Sequence, residues 1–335
     1  MRRDRGLRVL FVAFAVLALA GCGSNGQNTM APASPQEHRI SILFWIMLAG
    51  TTIAFAILLT FLILGYFHRQ RRGLPFGASD KVGTGVVIGL GVATPIVLLI
   101  ALFIYSDVFV NKTTSAPAPA STSRTVAIRG YQWFWQATYE GTDARVPDDI
   151  HIPTRTRVDV PVSTADVIHS LWVPELNRKI DTIPGTNNSI VIQANRPGAY
   201  RGQCAEFCGL QHAHMALMIY ADPPAKFRKW LANQAAPART PTTAEEKRGR
   251  QIFLSQACSG CHTIRGTSAQ GRIGPDLTHV ASRPDLAGLA FKNTRANLIA
   301  WINDPQKVKP GVKMPDLHLS MADIRSVVTY LESLK

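Results

Sequence analysis

The hydrophobic pattern divides the chain into unlike parts. Leu10 to Ala20 is apolar but too short to span a bilayer, and Arg2, Arg3, Arg5 and Arg8 precede it, the layout of an export signal. Two longer runs, Ile40 to Phe67 and Gly83 to Tyr105, carry no charge at all. At ~1.5 Å rise per residue, ~20 residues cover the ~30 Å hydrocarbon core, so each run predicts a membrane helix. His68-Arg69-Gln70-Arg71-Arg72 and Lys81 lie between them, and the positive-inside rule puts this loop in the cytoplasm. The long C-terminal part then faces outward. Pro95 within the second run is tolerated where neighbouring helices repair the lost hydrogen bond.

From Asn111 to Arg124 the composition turns to Ser, Thr, Ala and Pro, which predicts an extended linker. Short β-rich runs bounded by Pro, Gly and Asn follow: Thr125–Ile128, Trp133–Tyr139, Val158–Val162, Ser189–Gln193 and Met215–Tyr220. Their spacing predicts a sandwich or barrel. After Gln234–Thr243, with Pro237 and Pro241, the period becomes helical over Glu245–Gln256, Ala296–Ile302 and Ala322–Leu334. The reading is a multidomain chain. It has a signal peptide over 1–21, an outer segment 22–39, membrane helices 40–67 and 83–106, and a cytoplasmic loop 68–82. A linker 107–124 leads to an all-β unit 125–233, and a second linker 234–243 to a small all-α unit 244–335.

Composition narrows the class. With 46% hydrophobic and 17% charged residues in 335, the chain can bury enough surface to fold, and five cysteines are too few for a disulfide scaffold. The net charge of +14 is spread out: residues 244–335 hold 13 Lys/Arg against 8 Asp/Glu, and 124–233 hold 12 against 10. No nucleic-acid footprint emerges, though the surplus suits docking to an acidic partner.

The cysteines carry the chemistry. Leu19-Ala20-Gly21-Cys22 closes the signal with small residues before a thiol. Cys204-Ala-Glu-Phe-Cys208-Gly-Leu-Gln-His212-Ala-His214-Met215 gathers thiol, imidazole and thioether within twelve residues, a soft set suited to copper or zinc. A Cys204–Cys208 disulfide and a structural zinc site compete with copper on residues alone. Met215 favours copper, which uses a weak thioether donor where zinc does not. Cys258-Ser-Gly-Cys261-His262 is the c-type haem attachment signature, with His262 proximal to iron; a redox dithiol is the alternative, and it needs a βαβ setting that this helical unit lacks. Met314, before Pro315, is the foremost candidate for the sixth ligand, with Met321 and His279 as alternatives. His38, His68 and His151 lack partners in sequence.

The run Pro197 to Met215, with Val167-Ile168-His169-Ser170-Leu171-Trp172-Val173-Pro174 before it, resembles the copper A site of cytochrome c oxidase subunit II. Cys22 resembles the acylated cysteine of bacterial lipoproteins, and Gly274-Pro275-Asp276-Leu277 the haem-wrapping loop of class I cytochromes c. Over residues 19–335 the chain resembles subunit II of a caa3-type oxidase, with a fused cytochrome c. The resemblance implies a cupredoxin sandwich in which Cys204 and Cys208 bridge two coppers. His169 and His212 bind one copper each, and Met215 and the Glu206 carbonyl are axial. It implies Mg at the Glu206 carboxylate, facing subunit I, and electron input at Trp133, with Tyr131 standing where many members have His. Asp166 and Asp181 match acids near the cytochrome docking face, and His214 is not a ligand.

The implied partners are subunit I, subunit III, the bacterial plasma membrane and a cytochrome c or other donor. A copper A nitric oxide reductase subunit and a stand-alone electron-transfer lipoprotein are the alternatives. One departure from the resemblance stands out: many members of that family carry a glutamate about seven residues before the proline of the second membrane helix, and here that position is Ile88, with no acid between Lys81 and Asp107.

Overall fold

The computed structural model describes residues 26–68, 80–114 and 122–335. The expected signal peptide, Cys22 and most of the basic loop lie outside the described residues. Helix α1 (Pro35–His68) starts earlier than its apolar run, because the Ser34 hydroxyl accepts the Glu37 backbone N–H at 2.9 Å and caps it. The second membrane helix is built from α2 (Asp80–Ile88), a π-turn over Gly89–Ala93, α3 (Thr94–Tyr105), a π-turn over Ser106–Asn111 and a last turn to Thr114. The first π-turn sits just before Pro95, whose ring has no N–H to give and crowds the preceding turn. The Thr94 hydroxyl donates to the Gly89 carbonyl at 2.9 Å there. Both helices are long and apolar enough to cross a membrane. Leu62 and Phe103 are 70% and 73% exposed, a surface that calls for lipid. Helix continues through Thr114 and strand begins at Arg124, so the expected linker 107–124 is shortened from both ends.

Ten strands make the β unit: β1 (Arg124–Tyr131), β2 (Phe134–Tyr139), β3 (Arg145–Pro147), β4 (Asp149–Pro153), β5 (Val158–Thr164), β6 (His169–Trp172), β7 (Ile180–Thr182), β8 (Asn188–Ile192), β9 (Gly198–Cys204) and β10 (Ala216–Asp222). They form two sheets, β3-β2-β1-β5-β8 and β4-β10-β9-β6-β7. Val126, Ile128, Val160 and Ile190 from the first share one buried cluster with Ile150, Leu171, Leu217 and Ile219 from the second, as the alternation of strand side chains requires. Helix α4 (Pro224–Ala235) adds Phe227 and Leu231 to the same core.

The stretch 234–243, expected as an extended tether, is corrected. Its first two residues finish α4, and the rest is bound down. The Arg265 guanidinium donates to the Ala236 carbonyl at 3.1 Å and to that of Gln234, Ala238 N–H donates to the Arg265 carbonyl at 2.9 Å, and Arg239 pairs with Glu246 at 2.7 Å. Prolines set local stiffness, and only the fold brings Arg265 to them.

The last unit holds α5 (Ala244–Ser255), α6 (Cys258–Cys261), α7 (Arg295–Asn303), α8 (Pro305–Val308) and α9 (Met321–Glu332). A Thr243–Glu246 capping box starts α5. Helices α5 and α9 pack so closely that a Cβ on Gly249 would fall 2.0 Å from the Ser326 carbonyl oxygen. The unit is helical as expected, and within it a short pair of two-residue strands, β11 (Asp285–Leu286) and β12 (Phe291–Lys292), closes one turn. The pair of apolar helices is fastened to the β unit at the two ends nearest to it. Ala33 is buried in the sandwich core, donating to the Glu175 carbonyl and accepting from Asn195 N–H, both at 2.9 Å. The Thr114 hydroxyl accepts from the Arg178 guanidinium at 3.3 Å.

Candidate metal and haem sites

Strand β6 begins with His169, β9 ends with Cys204, and the loop from β9 to β10 carries Glu206, Cys208, His212 and Met215. Pairing of β6 with β9 sets Leu171 opposite Cys204, which brings a histidine thirty-five positions away to the cysteine loop. Cys204 Sγ lies 3.9 Å from His169 Nδ1 and 3.2 Å from the Glu206 carbonyl oxygen. Cys208 Sγ lies 3.6 Å from His212 Nδ1 and 3.8 Å from Met215 Sδ. The two sulfurs are 3.8 Å apart, far beyond a disulfide's ~2.05 Å bond. Six donors thus surround one gap in two halves, each with a thiol, an imidazole and a weak donor. That set fits two soft metal ions better than one tetrahedral zinc. His214 turns away to Gln211 Oε1 at 2.8 Å.

The electrostatics prepare this gap for cations. A hydrogen bond from Cys208, with help from His169, holds the Cys204 thiol well below its usual range, while the same bond and burial push Cys208 up. Behind His169, Asp166 Oδ1 sits 2.9 Å from Nε2, fixing the ring so that Nδ1 faces the sulfurs. Burial acts to raise Asp166, but bonds from His169, the backbone N–H groups of Gln132 and Val167, and Lys313 outweigh it and depress the carboxyl. Burial likewise opposes protonation of His169, and its bonds to Asp166 and Cys204 raise it. Sequence reasoning placed Asp166 at a docking face and missed its hold on His169; the three-residue spacing was the available signal.

Trp133 is 7% exposed, and its indole N–H donates to the Cys208 carbonyl at 3.0 Å. In the helical unit, Cys258 and Cys261 are free thiols on one turn. His262 Nδ1 lies 2.9 Å from the Pro275 carbonyl, leaving Nε2 for a ligand, and burial lowers its pKa so that the ring stays neutral. A Cβ on Gly274 would come 2.5 Å from His262 Cε1. A pair of thiols, a neutral oriented imidazole and a close glycine fit a covalent haem. Among candidates for the opposite side, His279 has both ring nitrogens engaged, at Lys335 O (2.9 Å) and Ala236 O (3.0 Å). Met321 opens α9 and is 44% exposed. Met314 is half-buried, its carbonyl held by Gln306 Nε2 at 3.2 Å. His151, without a partner in sequence, meets Asp222 at 2.5 Å and stacks on Trp230.

The two soluble units touch beside this site. Lys313 pairs with Asp166 at 3.1 Å, Gln211 Nε2 donates to the Pro310 carbonyl at 2.9 Å, and Gly288 N–H donates to Asp148 Oδ2 at 3.0 Å.

Two family models match the chain: "Cytochrome C oxidase subunit II, periplasmic domain" over residues 144–221 and "Cytochrome c" over 246–335. Fold, donor sets and matches together define a membrane-anchored oxidase-subunit domain joined to a cytochrome c domain. The cytochrome c oxidase subunit 2 of Alkalihalophilus pseudofirmus is 34% identical, covering 98% of this chain and 97% of its own. That of Bacillus sp. (strain PS3) is 28% identical over 97% of both. The solved periplasmic domain of subunit II of cytochrome oxidase from Bradyrhizobium japonicum covers 36% of the chain at 27% identity, with a TM-score of 0.34. The chain belongs to the cytochrome c oxidase subunit 2 family.

Proposed function

We propose that the chain is the electron-accepting subunit II of a caa3-type respiratory haem–copper oxidase. Its cytochrome domain takes electrons from a cytochrome c or similar donor, and its copper domain hands them to subunit I, where oxygen is reduced to water. The observation that carries this reading is the six-donor gap around Cys204 and Cys208, bonded through Cys208 to Trp133 on the side where the cytochrome domain sits.

Cys204, Cys208, His169, His212, Met215 and the Glu206 carbonyl would hold the two coppers of copper A. Cys258 and Cys261 would hold haem c covalently, with His262 and Met314 as the protein ligands of its iron. When bound, these groups would supply one-electron exchange. The protein's part is to fix geometry: Asp166 sets the His169 ring, the Pro275 carbonyl sets His262, and Trp133 links the cytochrome face to Cys208. The Glu206 carboxylate would meet Mg at the subunit I contact. Cys22 would carry lipid at the outer membrane surface, the hairpin would cross twice with both soluble domains outside, and subunit III would complete the assembly. With Ile88 where many members of the family place an acid, no proton path is assigned to this chain.

The test is flash reduction of the haem in the full, cofactor-loaded chain in detergent, following copper reduction as protein concentration varies. A concentration-independent rate with no oxygen uptake by the isolated chain supports the reading. A rate rising linearly with concentration, or oxygen consumption by the pure chain, overturns it.

A further inference from the structure

At the seam between the soluble units one lysine is buried without a carboxylate to end on. Lys309 is 2% exposed, and its ammonium donates to three backbone carbonyls: Trp133 O at 3.0 Å, His214 O at 2.9 Å and Ala287 O at 2.6 Å. An ammonium has three hydrogens to give, so the cage uses all of them. Two of the carbonyls belong to the copper domain. One is on the tryptophan bonded to Cys208 and the other is in the donor loop. The third belongs to the cytochrome domain, so a single side chain from that domain ties three segments together.

The turn that supplies the third carbonyl is shaped for this docking. Ala287, Gly288 and Leu289 have φ of 57°, 71° and 61°, a left-handed run that alanine and leucine adopt only when their surroundings impose it. The copper domain imposes it: Gly288 N–H donates to Asp148 Oδ2 at 3.0 Å, and Ala216 N–H donates to the Gly288 carbonyl at 3.1 Å. A Cβ on Gly288 would lie 2.8 Å from the His214 oxygen and 3.1 Å from that of Trp133. Beyond Lys309 the chain stays on the copper domain. The Pro310 carbonyl accepts from Gln211, a Cβ on Gly311 would be 3.4 Å from Trp133 Cη2, Val312 packs on the sandwich core, and Lys313 pairs with Asp166. Met314 comes next.

We propose that Lys309 is a positioning residue that fastens the cytochrome domain over Trp133, so that this face of the copper domain receives electrons from the chain's own cytochrome domain and is closed to a second protein. The proposal rests on the electron route above. It replaces a search by a mobile domain with a fixed contact. Transfer across a fixed seam is insensitive to solvent viscosity, whereas transfer that waits for re-docking is slowed by it.

The experiment uses the full cofactor-loaded chain in detergent and the variant Lys309→Met, which keeps the stem and removes the ammonium. Hydrogen exchange at the Ala216 and Gly288 amides reads the seam directly. Three carbonyls at the seam lose their donor, so these amides should exchange about tenfold faster or more, while those of β8, at the far edge of its sheet, stay unchanged as a folding control. Haem-to-copper transfer should be viscosity-independent in the parent and slow and viscosity-dependent in the variant. Gly288→Val, a wedge that leaves Lys309 in place, should give the same pair of changes and serves if Lys309→Met does not fold. Unchanged seam amides in a folded variant, or loosened amides with unchanged transfer, overturn the proposal. Protected amides in a parent chain that never reduces its copper site would instead sink the electron route and leave the fastening intact.

Discussion

Replacing Asp166 by Asn separates the two things that side chain does. The carboxylate accepts four donors: the N–H groups of Gln132 and Val167, His169 Nε2, each at 2.9 Å, and Lys313 at 3.1 Å. Oδ1 serves Val167 and His169; Oδ2 serves Gln132 and Lys313. An amide of the same shape offers one oxygen, so whichever way it turns, an NH2 group faces two other donors. Either the His169 ring or the Gln132 backbone is left without an acceptor in a buried place, at about 1–3 kcal/mol. The Lys313 pair contributes little, because the lysine is more than half exposed, and such pairs are worth about 0–1 kcal/mol. The cost therefore falls on the His169 ring or on the Gln132 backbone bond that holds residue 166 against it. Losing a partner of that kind weakens metal binding about 10–100-fold, which agrees with the same energy at 1.4 kcal/mol per factor of ten. The assay is copper titration of the haem-loaded, copper-free chain against a competing chelator, with Lys313→Ala alongside. Asp166→Asn should lose affinity in that range, and Lys313→Ala should stay within about twofold of the parent. Equal affinity for Asp166→Asn, or an equal loss in Lys313→Ala, would refute the reasoning.

Met314→Leu should lower the haem potential, since a thioether favours ferrous iron; potentiometry checks it, and a potential moved instead by Met321→Leu would transfer the assignment. Leu217→Ala, at a fully buried position of the sandwich core, should cost about 2–5 kcal/mol, read by denaturant unfolding of the copper domain. Burial raises Asp149 to about 7, against the Arg283 charge that acts to lower it, with Asp148, Asp285 and Lys292 also facing it. The unfolded chain ionises this group near 3.8, so stability present at low pH declines as pH rises toward about 7 and then levels off, by a few kcal/mol at most. Asp149→Asn should remove that slope, and a parallel pH profile in the variant would contradict the burial argument.

What could be read beforehand follows from range along the chain. Val158–Val162 and Ser189–Gln193 announced strands because their β-branched residues recur within a few positions. Gly198–Cys204 did not, since glycines, an arginine and a glutamine become a strand only by pairing with β10 and β6. Cys204, Cys208, His212 and Met215 were legible because one loop holds them, and Cys258, Cys261 and His262 for the same reason. His169 came through resemblance, and Asp166 was legible only as an acid near a docking face. Lys309 left no local trace: a lysine between two short motifs looks solvated until the fold surrounds it with carbonyls from three segments. The tether over 234–243 failed similarly, as Arg265 reaches it from nearly thirty positions away.

The attachment of the hairpin at Ala33 and Thr114 makes the β unit a plate mounted on two posts. Each post is held near its end: one is hydrogen-bonded to Glu175 and Asn195, the other to Arg178. A tilt of the posts, such as a change in bilayer thickness imposes on long apolar helices, therefore loads the 175–178 turn and Asn195 directly. The plate must lean with them, so the height and attitude of the cysteine loop above the membrane are set by the lipid as well as by the protein.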